Sequence, residues 1–224
     1  MATVRSVYSG YRDWVSTGTD TERTSFFSDA VFAIAMTLLA VEIQVPRVPD
    51  EDLTQALREQ VPEYLAFALS FAVVGAAWMS HHRMFRLLDS YDATLQRINL
   101  LALLFVALVA YGTGVLAAYA EQSAAVILYA TIVAAMGLAH LAMWQYAWNR
   151  GLFVEELGPD LFGYLRARGA VVPAVFLASI PVALVSPDAA KYLWIAIALL
   201  QVALIWVYQR RTSSEVAPSP GGDT

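Results

Sequence analysis

Six long apolar stretches, separated by shorter polar segments, divide most of the chain. None shows the alternation of apolar and polar residues that is typical of a strand in a membrane β-barrel. Each is close to the roughly 20 residues that a helix needs to cross a hydrocarbon layer about 30 Å thick. They occupy residues 26–45, 62–80, 96–119, 123–148, 169–186 and 189–208. The pattern therefore predicts an all-α integral membrane protein, with six transmembrane helices per chain in one domain over residues 26–208.

The composition agrees with a membrane protein and excludes several other classes. Of the 224 residues, 58% are hydrophobic and 15% are charged, whereas soluble proteins carry about 25% charged residues. So apolar a chain does not suit a soluble enzyme, and a net charge of -5 offers no basic surface for nucleic acid. The absence of cysteine from the sequence excludes disulfides, thiol catalysis and cysteine–metal sites. The partner that the composition implies is the lipid bilayer.

The basic residues are divided unequally between the two sides of the predicted bundle. Eleven lie on the side that holds both chain ends: Arg5, Arg12, Arg23, Arg83, Arg86, Arg97, Arg150, Arg166, Arg168, Arg210 and Arg211. Only Arg47, Arg58 and Lys191 lie on the other side. The positive-inside rule then predicts cytoplasmic N and C termini in a cell inner (plasma) membrane. Residues 1–25 are expected to form a cytoplasmic segment, and residues 209–224 a disordered cytoplasmic tail rich in Ser, Pro and Gly.

Several polar residues are predicted to share one depth, near the cytoplasmic ends of three different helices. They are Arg23, Ser28 and Asp29 in span one, His81 and His82 at the end of span two, and Asn99 in span three. Two interpretations stay open: Ser28 and Asp29 simply cap a helix, or the group forms a buried network that ties the helices together. Adjacent histidines point about 100° apart around a helix, so a shared metal site is not predicted.

Beyond these polar residues, span one carries an apolar face. Ile34, Leu38 and Val41 recur at the spacing of one helical face, and Thr37 lies beside them. Such a face can pack against a neighbouring helix or line a passage, and the periodicity alone does not distinguish the two. In span four, His140 is more typical of a hydrogen bond inside the bundle than of a ligand.

The segment Arg23-x-x-x-Phe27-Ser28-Asp29, followed by Ala-Val-Phe-Ala-Ile-Ala-Met-Thr-Leu-Leu, resembles the signature of the TMEM175 family of lysosomal potassium channels. The chain is similar to the bacterial members of that family. Further matching positions are Trp78, His81, His82 and Phe85 at the end of span two, and Asp92 and Asn99 leading into span three. The first half of the chain matches closely, whereas the last three spans match by hydropathy. The T-V-G-Y-G filter sequence of other potassium channels does not occur.

This resemblance implies a leak-type, potassium-selective cation channel rather than an enzyme, with K+ as the permeant ion and no cofactor or resident metal. It implies that the first helix lines the pore, that Ile34 forms the constriction, and that Leu38 and Val41 form the next apolar layers. Thr37 matches the family's pore threonine. The residues that match a structural network holding the pore helix are Arg23, Phe27, Ser28, Asp29 and one histidine, taken as His81, with Asn99 beside them.

The signature occurs once in this chain, whereas animal relatives carry two six-span repeats and pair as dimers. Four chains are then needed to supply four pore helices, which implies a homotetramer with helix 1 lining a central pore. Two alternatives stay open: a secondary transporter, which needs inverted repeats and broken helices, and a proton-permeable channel. A membrane-embedded enzyme would need ionisable residues that converge at mid-depth, where His140 stands alone.

Overall fold

The computed structural model describes residues 17–18 and 21–215, and side chains from residue 23 to residue 209. The predictions for residues 1–16 and 216–224, and for the side chains of Arg210 and Arg211, lie outside this part. The helices are α1 (Thr21–Leu38), α2 (Leu53–Glu59), α3 (Val61–Leu87), α4 (Ala93–Ala118), α5 (Ser123–Asn149), α6 (Pro159–Val185) and α7 (Pro187–Glu215). Two short strands, β1 (Thr17–Gly18) and β2 (Tyr91–Asp92), pair antiparallel.

Six of these helices are long and apolar enough to cross a membrane, which confirms the predicted number of spans. They are α1 with the 3-10 turn that continues it, and α3 to α7; α2 is a short helix of 7 residues between the first two spans. The 3-10 turn covers Leu39–Glu42, and Ile43 is extended. Pro46 and Pro49 follow, and the residue before a proline favours extended backbone, so the helix cannot continue to residue 45 as predicted.

Other helices are longer than their apolar stretches. α3 continues to Leu87, α6 begins at Pro159, and α7 continues to Glu215, so the tail predicted from residue 209 begins within this helix. A helix of 27 residues such as α3 is about 40 Å long. That length covers the hydrocarbon and the polar headgroup layers, about 40–45 Å together. Hydropathy marks only the part of each helix that lies in hydrocarbon, which explains the difference.

The helices pack mainly against their neighbours in sequence. α4, α5, α6 and α7 form consecutive contacts, whereas α1 lies against α3 and α4. α5 and α6 approach closely at Gly137, where an added Cβ would come within 2.8 Å of the Pro173 ring. Because residue 137 is glycine, α5 leaves room for the ring of Pro173, and α6 can pack closely against it. Both Pro173 and Pro181 lie within the unbroken helix.

Asp92 fixes the start of α4. One carboxylate oxygen accepts hydrogen bonds from the backbone N–H groups of Thr94 (3.0 Å) and Leu95 (2.8 Å), and the other accepts from the Tyr146 hydroxyl (2.6 Å). Partial burial raises the pKa of Asp92, but the hydrogen bonds from Tyr146, Leu95 and Thr94 and the charge of Arg150 outweigh it, so the pKa is held below 3.8. The same carboxylate thus caps α4 and joins it to α5.

We expect Asp92→Ala to lower the unfolding free energy by about 1 kcal/mol at pH 7, because a helix cap is lost. The ionised carboxylate stabilises the fold above its unfolded pKa, and this stabilisation disappears as the pH falls through the lowered folded pKa. The difference from wild type is therefore expected to shrink at pH 3. Thermal unfolding of both proteins in detergent at the two pH values measures it.

Asp89→Ala is the matched control, since Asp89 lies exposed in the same loop and its side chain accepts no hydrogen bond among the described residues. Its substitution is expected to change stability by less than about 0.5 kcal/mol. Equal losses for the two variants would show that Asp92 does not act as a cap.

Candidate functional site

One face of α1 packs against the rest of the bundle. Thr24, Ser28, Phe32, Ala35 and Leu39 recur every three or four residues, and all are buried. They lie against α3 and α4, the helices that α1 contacts. The apolar members belong to the main core of the bundle, whereas Thr24 and Ser28 bring polar groups into it near the N-terminal end of α1.

A chain of hydrogen bonds joins α1, α3 and α4 at these polar residues. The His81 ring lies with Nε2 2.9 Å from Asn99 Oδ1, the Asn99 amide donates to Ser28 Oγ over 3.0 Å, and the Ser28 hydroxyl donates to the Thr24 carbonyl over 2.8 Å. All three side chains are buried. The amide oxygen of Asn99 accepts, so His81 donates from Nε2. The two helices that flank α1 are thus held to it by a directional network.

The structure distinguishes the two adjacent histidines. His81 is buried, stacks on Phe85 with ring centroids 4.4 Å apart, and also lies 5.3 Å from the Phe32 ring. His82 lies outside the Asn99–Ser28 chain, with its ring 5.6 Å from that of Trp78. His81 is therefore the histidine that joins the network.

Asp29 binds a different partner from Ser28. One of its carboxylate oxygens accepts a hydrogen bond of 2.8 Å from the indole N–H of Trp78 on α3. This bond lies outside the buried chain but joins the same two helices, α1 and α3. An indole donor to a carboxylate is a charge-assisted hydrogen bond, which is stronger than a bond between neutral groups.

Arg23 and Phe27 lie beside the network. Both line a cleft of about 460 Å3, whose wall also includes Asn99. Phe27 is 53% exposed, so its ring is not packed into the core. The structure thus brings together Ser28, His81 and Asn99, sets Asp29 next to them through Trp78, and leaves Arg23 and Phe27 at the cleft.

The opposite face of α1 is left exposed by the part of the chain that the structure describes. Ile34 is 58% exposed, Leu38 47% and Val41 72%, and all three lie on the same side of the helix. Thr37 is exposed on this side too, and its hydroxyl donates to the Ile34 carbonyl over 2.8 Å. One side of α1 is therefore fixed by packing and hydrogen bonds, while the other side presents bulky apolar groups.

Sequence reasoning did not assign roles to Trp78, Thr24 or Phe32. His81 and His82 lie three and four residues after Trp78 on a helix, and this spacing is the signal that could have placed the indole beside the N-terminal end of α1. The sequence also did not predict which residue Glu42 contacts. Its carboxylate lies against Gly114 on α4, where an added Cβ would overlap it. Only the packing of α1 on α4 brings these two together.

His140 lies inside the bundle and forms a hydrogen bond there, as the sequence predicts. Its Nδ1 lies 2.9 Å from the Met136 carbonyl, one turn earlier in α5, and the side chain is buried. Its ring centroid is 5.8 Å from that of His81. Within residues 23–209, no group of three His, Asp or Glu side chains is placed to hold a metal ion.

The family model described as endosomal/lysosomal potassium channel TMEM175 matches residues 23–109, which include most of α1, the buried network and most of α4. A potassium channel from Streptomyces collinus is 39% identical over 134 residues, which cover 58% of this chain and 65% of that protein. The match thus spans a little under two thirds of the relative's length. The endosomal/lysosomal proton channel TMEM175 of Mus musculus is 38% identical over 94 residues, covering 38% of this chain and 19% of that protein.

The fold is similar to a solved structure over most of the chain. The crystal structure of a lysosomal potassium-selective channel TMEM175 homolog from Chamaesiphon minutus superposes with a TM-score of 0.71 and 28% identity. The superposition covers 85% of this chain and 99% of that one. The matched family model, the similar sequences and the shared six-helix fold show that residues 23–109 match the TMEM175 family and that the chain shares the fold of a solved TMEM175 homolog.

Proposed function

We propose that this protein is a potassium-selective, leak-type cation channel whose pore is lined by α1. The observation that carries the proposal is the two-sided character of α1. Its buried side is fixed by the Ser28–Asn99–His81 network, while on its other side Ile34, Leu38 and Val41 are exposed among the described residues. A helix held this firmly can position a row of apolar side chains with the accuracy that an ion pathway needs.

A homotetramer with its chain ends in the cytoplasm fits these features. One chain supplies one such helix, so four copies around an axis would enclose a pore. Arg83, Arg86, Arg97, Arg150 and Arg168 all lie toward the end of the bundle where Val154 N–H bonds the Leu87 carbonyl. Lys191, which contacts the Ala120 carbonyl and Asp188, lies at the opposite end. This distribution supports a cytoplasmic location for the arginine-rich end in a plasma membrane.

In a tetramer, the Ile34, Leu38 and Val41 side chains of the four chains would form an apolar ring around the axis. This ring suggests how potassium would be preferred over sodium. Ile34, Leu38 and Val41 offer no oxygen ligands, so an ion that passes them must lose or compress part of its hydration shell. K+ holds its water less tightly than Na+, and its penalty for entering the ring is therefore smaller. A narrow apolar ring can also stop conduction when water leaves it, so the pore can close by dewetting. No cofactor takes part in this mechanism, and the protein acts as a channel, not as an enzyme.

Two further observations favour a potassium channel over the alternatives. The relative from Streptomyces collinus that is named as a potassium channel is 39% identical over 134 residues, and the superposed structure from Chamaesiphon minutus is named as a potassium-selective channel homolog. A secondary transporter would be expected to contain broken helices. Among the described residues, α3 to α7 are each continuous across their spans, and α1 changes only to a 3-10 turn at its end.

Replacing Ile34 with Asn tests the proposed constriction. The amide would bring water into the ring and offer an oxygen to the ion, so the discrimination against Na+ is expected to fall. A loss of about 1 kcal/mol corresponds to an approximately fivefold lower K+/Na+ permeability ratio. Reversal potentials in planar bilayers under bi-ionic K+/Na+ conditions measure this ratio.

Two control variants make the test specific. Ile34→Val keeps the ring apolar and is expected to keep the preference for K+. Leu199→Asn places the same amide on an exposed position of α7 and is expected to leave the reversal potential unchanged. An unchanged reversal potential in the Ile34→Asn protein would place the constriction elsewhere.

The buried network predicts a second effect. Asn99→Leu removes the acceptor for His81 and the donor to Ser28, and leaves polar groups unpaired where no water replaces them. The expected loss is about 1–3 kcal/mol, together with altered K+ conductance because α1 is no longer fixed. Thermal unfolding and bilayer recordings of the purified variant measure the two effects.

Ser28→Ala completes a double-mutant cycle with Asn99→Leu. A coupling energy of about 0.5 kcal/mol or more is expected if the two residues act as a unit. Asn149→Leu, at an exposed position at the end of α5, is the control and is expected to have little effect. Strictly additive losses from Ser28→Ala and Asn99→Leu would contradict the network.

A further inference from the structure

A cavity of about 270 Å3 lies between α3, α5, α6 and α7, away from the face of α1 that carries Ile34. Most of its wall is apolar and includes Met136, Leu141, Val172 and Ile197. Ala76 and Met79, both exposed, form part of its rim on α3, so the cavity is accessible from the side of the bundle. Its volume is just below the range of about 300–1,000 Å3 that is usual for small-molecule sites.

Two arginines line the cavity at its cytoplasm-proximal end. Arg83, near the end of α3, is half-buried and has no carboxylate within ion-pair distance among the described residues. Arg168 on α6 donates from Nε to the side-chain oxygen of Gln201 over 3.0 Å, and the Gln201 amide donates to the Arg168 carbonyl over 3.1 Å. This pair of bonds holds the Arg168 side chain against α7 without neutralising its charge.

None of the described residues that line the wall is Asp or Glu. Two guanidinium groups therefore face one cavity at the edge of the apolar layer without a compensating negative charge. A charge in such a location is costly unless it is paired. Guanidinium groups bind phosphate oxygens through paired hydrogen bonds, and basic pockets between membrane helices on the cytoplasmic side bind anionic lipid head groups.

We propose that this cavity binds an anionic phospholipid of the surrounding leaflet. The phosphodiester lies against Arg83 and Arg168, and one acyl chain lies along the apolar wall between α3 and α6. The combination of a phosphate site with an apolar groove is what distinguishes a lipid from free phosphate, which shares the same anionic chemistry but needs no groove. The proposal does not depend on which ion the pore conducts.

Native mass spectrometry of the detergent-purified protein tests the proposal. The protein is titrated separately with phosphatidylglycerol, with phosphatidylcholine of the same chains, and with inorganic phosphate. Phosphatidylglycerol adducts are expected at about tenfold lower concentration than phosphatidylcholine adducts. In the double variant Arg83→Gln/Arg168→Gln this preference is expected to disappear. Ala76→Phe, which fills the rim without changing charge, is expected to lose the phosphatidylglycerol adduct.

The double variant Arg86→Gln/Arg166→Gln is the matched control, because both arginines are exposed at the same end of the bundle and neither lines the cavity. It is expected to keep the preference for phosphatidylglycerol. The proposal is overturned if this control loses the preference as fully as Arg83→Gln/Arg168→Gln, or if wild type binds both lipids equally. It is also overturned if inorganic phosphate binds as tightly as phosphatidylglycerol and Ala76→Phe retains both.

Discussion

The buried contact between Ser28, Asn99 and His81 is the interaction on which the rest of this structure depends. Polar groups inside a bilayer must find partners within the protein, because no water is available to replace them. Here the donors and acceptors follow one another from α3 through α4 to α1, over distances of 2.9, 3.0 and 2.8 Å. Three helices must therefore share one register at this depth, and α1 cannot slide or rotate without leaving a polar group unpaired.

This constraint gives the exposed side of α1 its significance. In a bilayer, an apolar helix face has no need of a protein neighbour, since lipid is equally apolar. Exposure of Ile34, Leu38 and Val41 alone would thus be equally consistent with contact to lipid. A face whose direction is fixed by a buried network and by the Trp78–Asp29 bond is better suited to a functional surface. The arginine-lined cavity between α3 and α6 is a separate feature, and no described residue of α1 lines its wall.

The sequence predicted the six spans because a hydrocarbon layer sets both their length and their apolarity. It also predicted which polar residues share one depth, since Ser28, His81 and Asn99 each lie near the same end of an apolar stretch. It could not choose between His81 and His82, because that choice depends on how far α3 is rotated about its axis. Nor could it pair Asp29 with Trp78, or foresee that α3 continues to Leu87, since helices extend through the polar headgroup layers where hydropathy gives no signal.

The measurement that tests the central claim most directly is chemical modification of a single cysteine on α1. The natural chain has no cysteine, so Leu38→Cys introduces the one reactive thiol without further changes, and Leu199→Cys on the exposed side of α7 serves as its counterpart. A charged, water-soluble methanethiosulfonate reagent is applied during K+ recording in bilayers. The account predicts that the current through Leu38→Cys channels falls on modification, and that Leu199→Cys channels do not respond. Unchanged current through Leu38→Cys channels, with a thiol that stays unmodified by reagent from either side, would contradict a pore lined by α1.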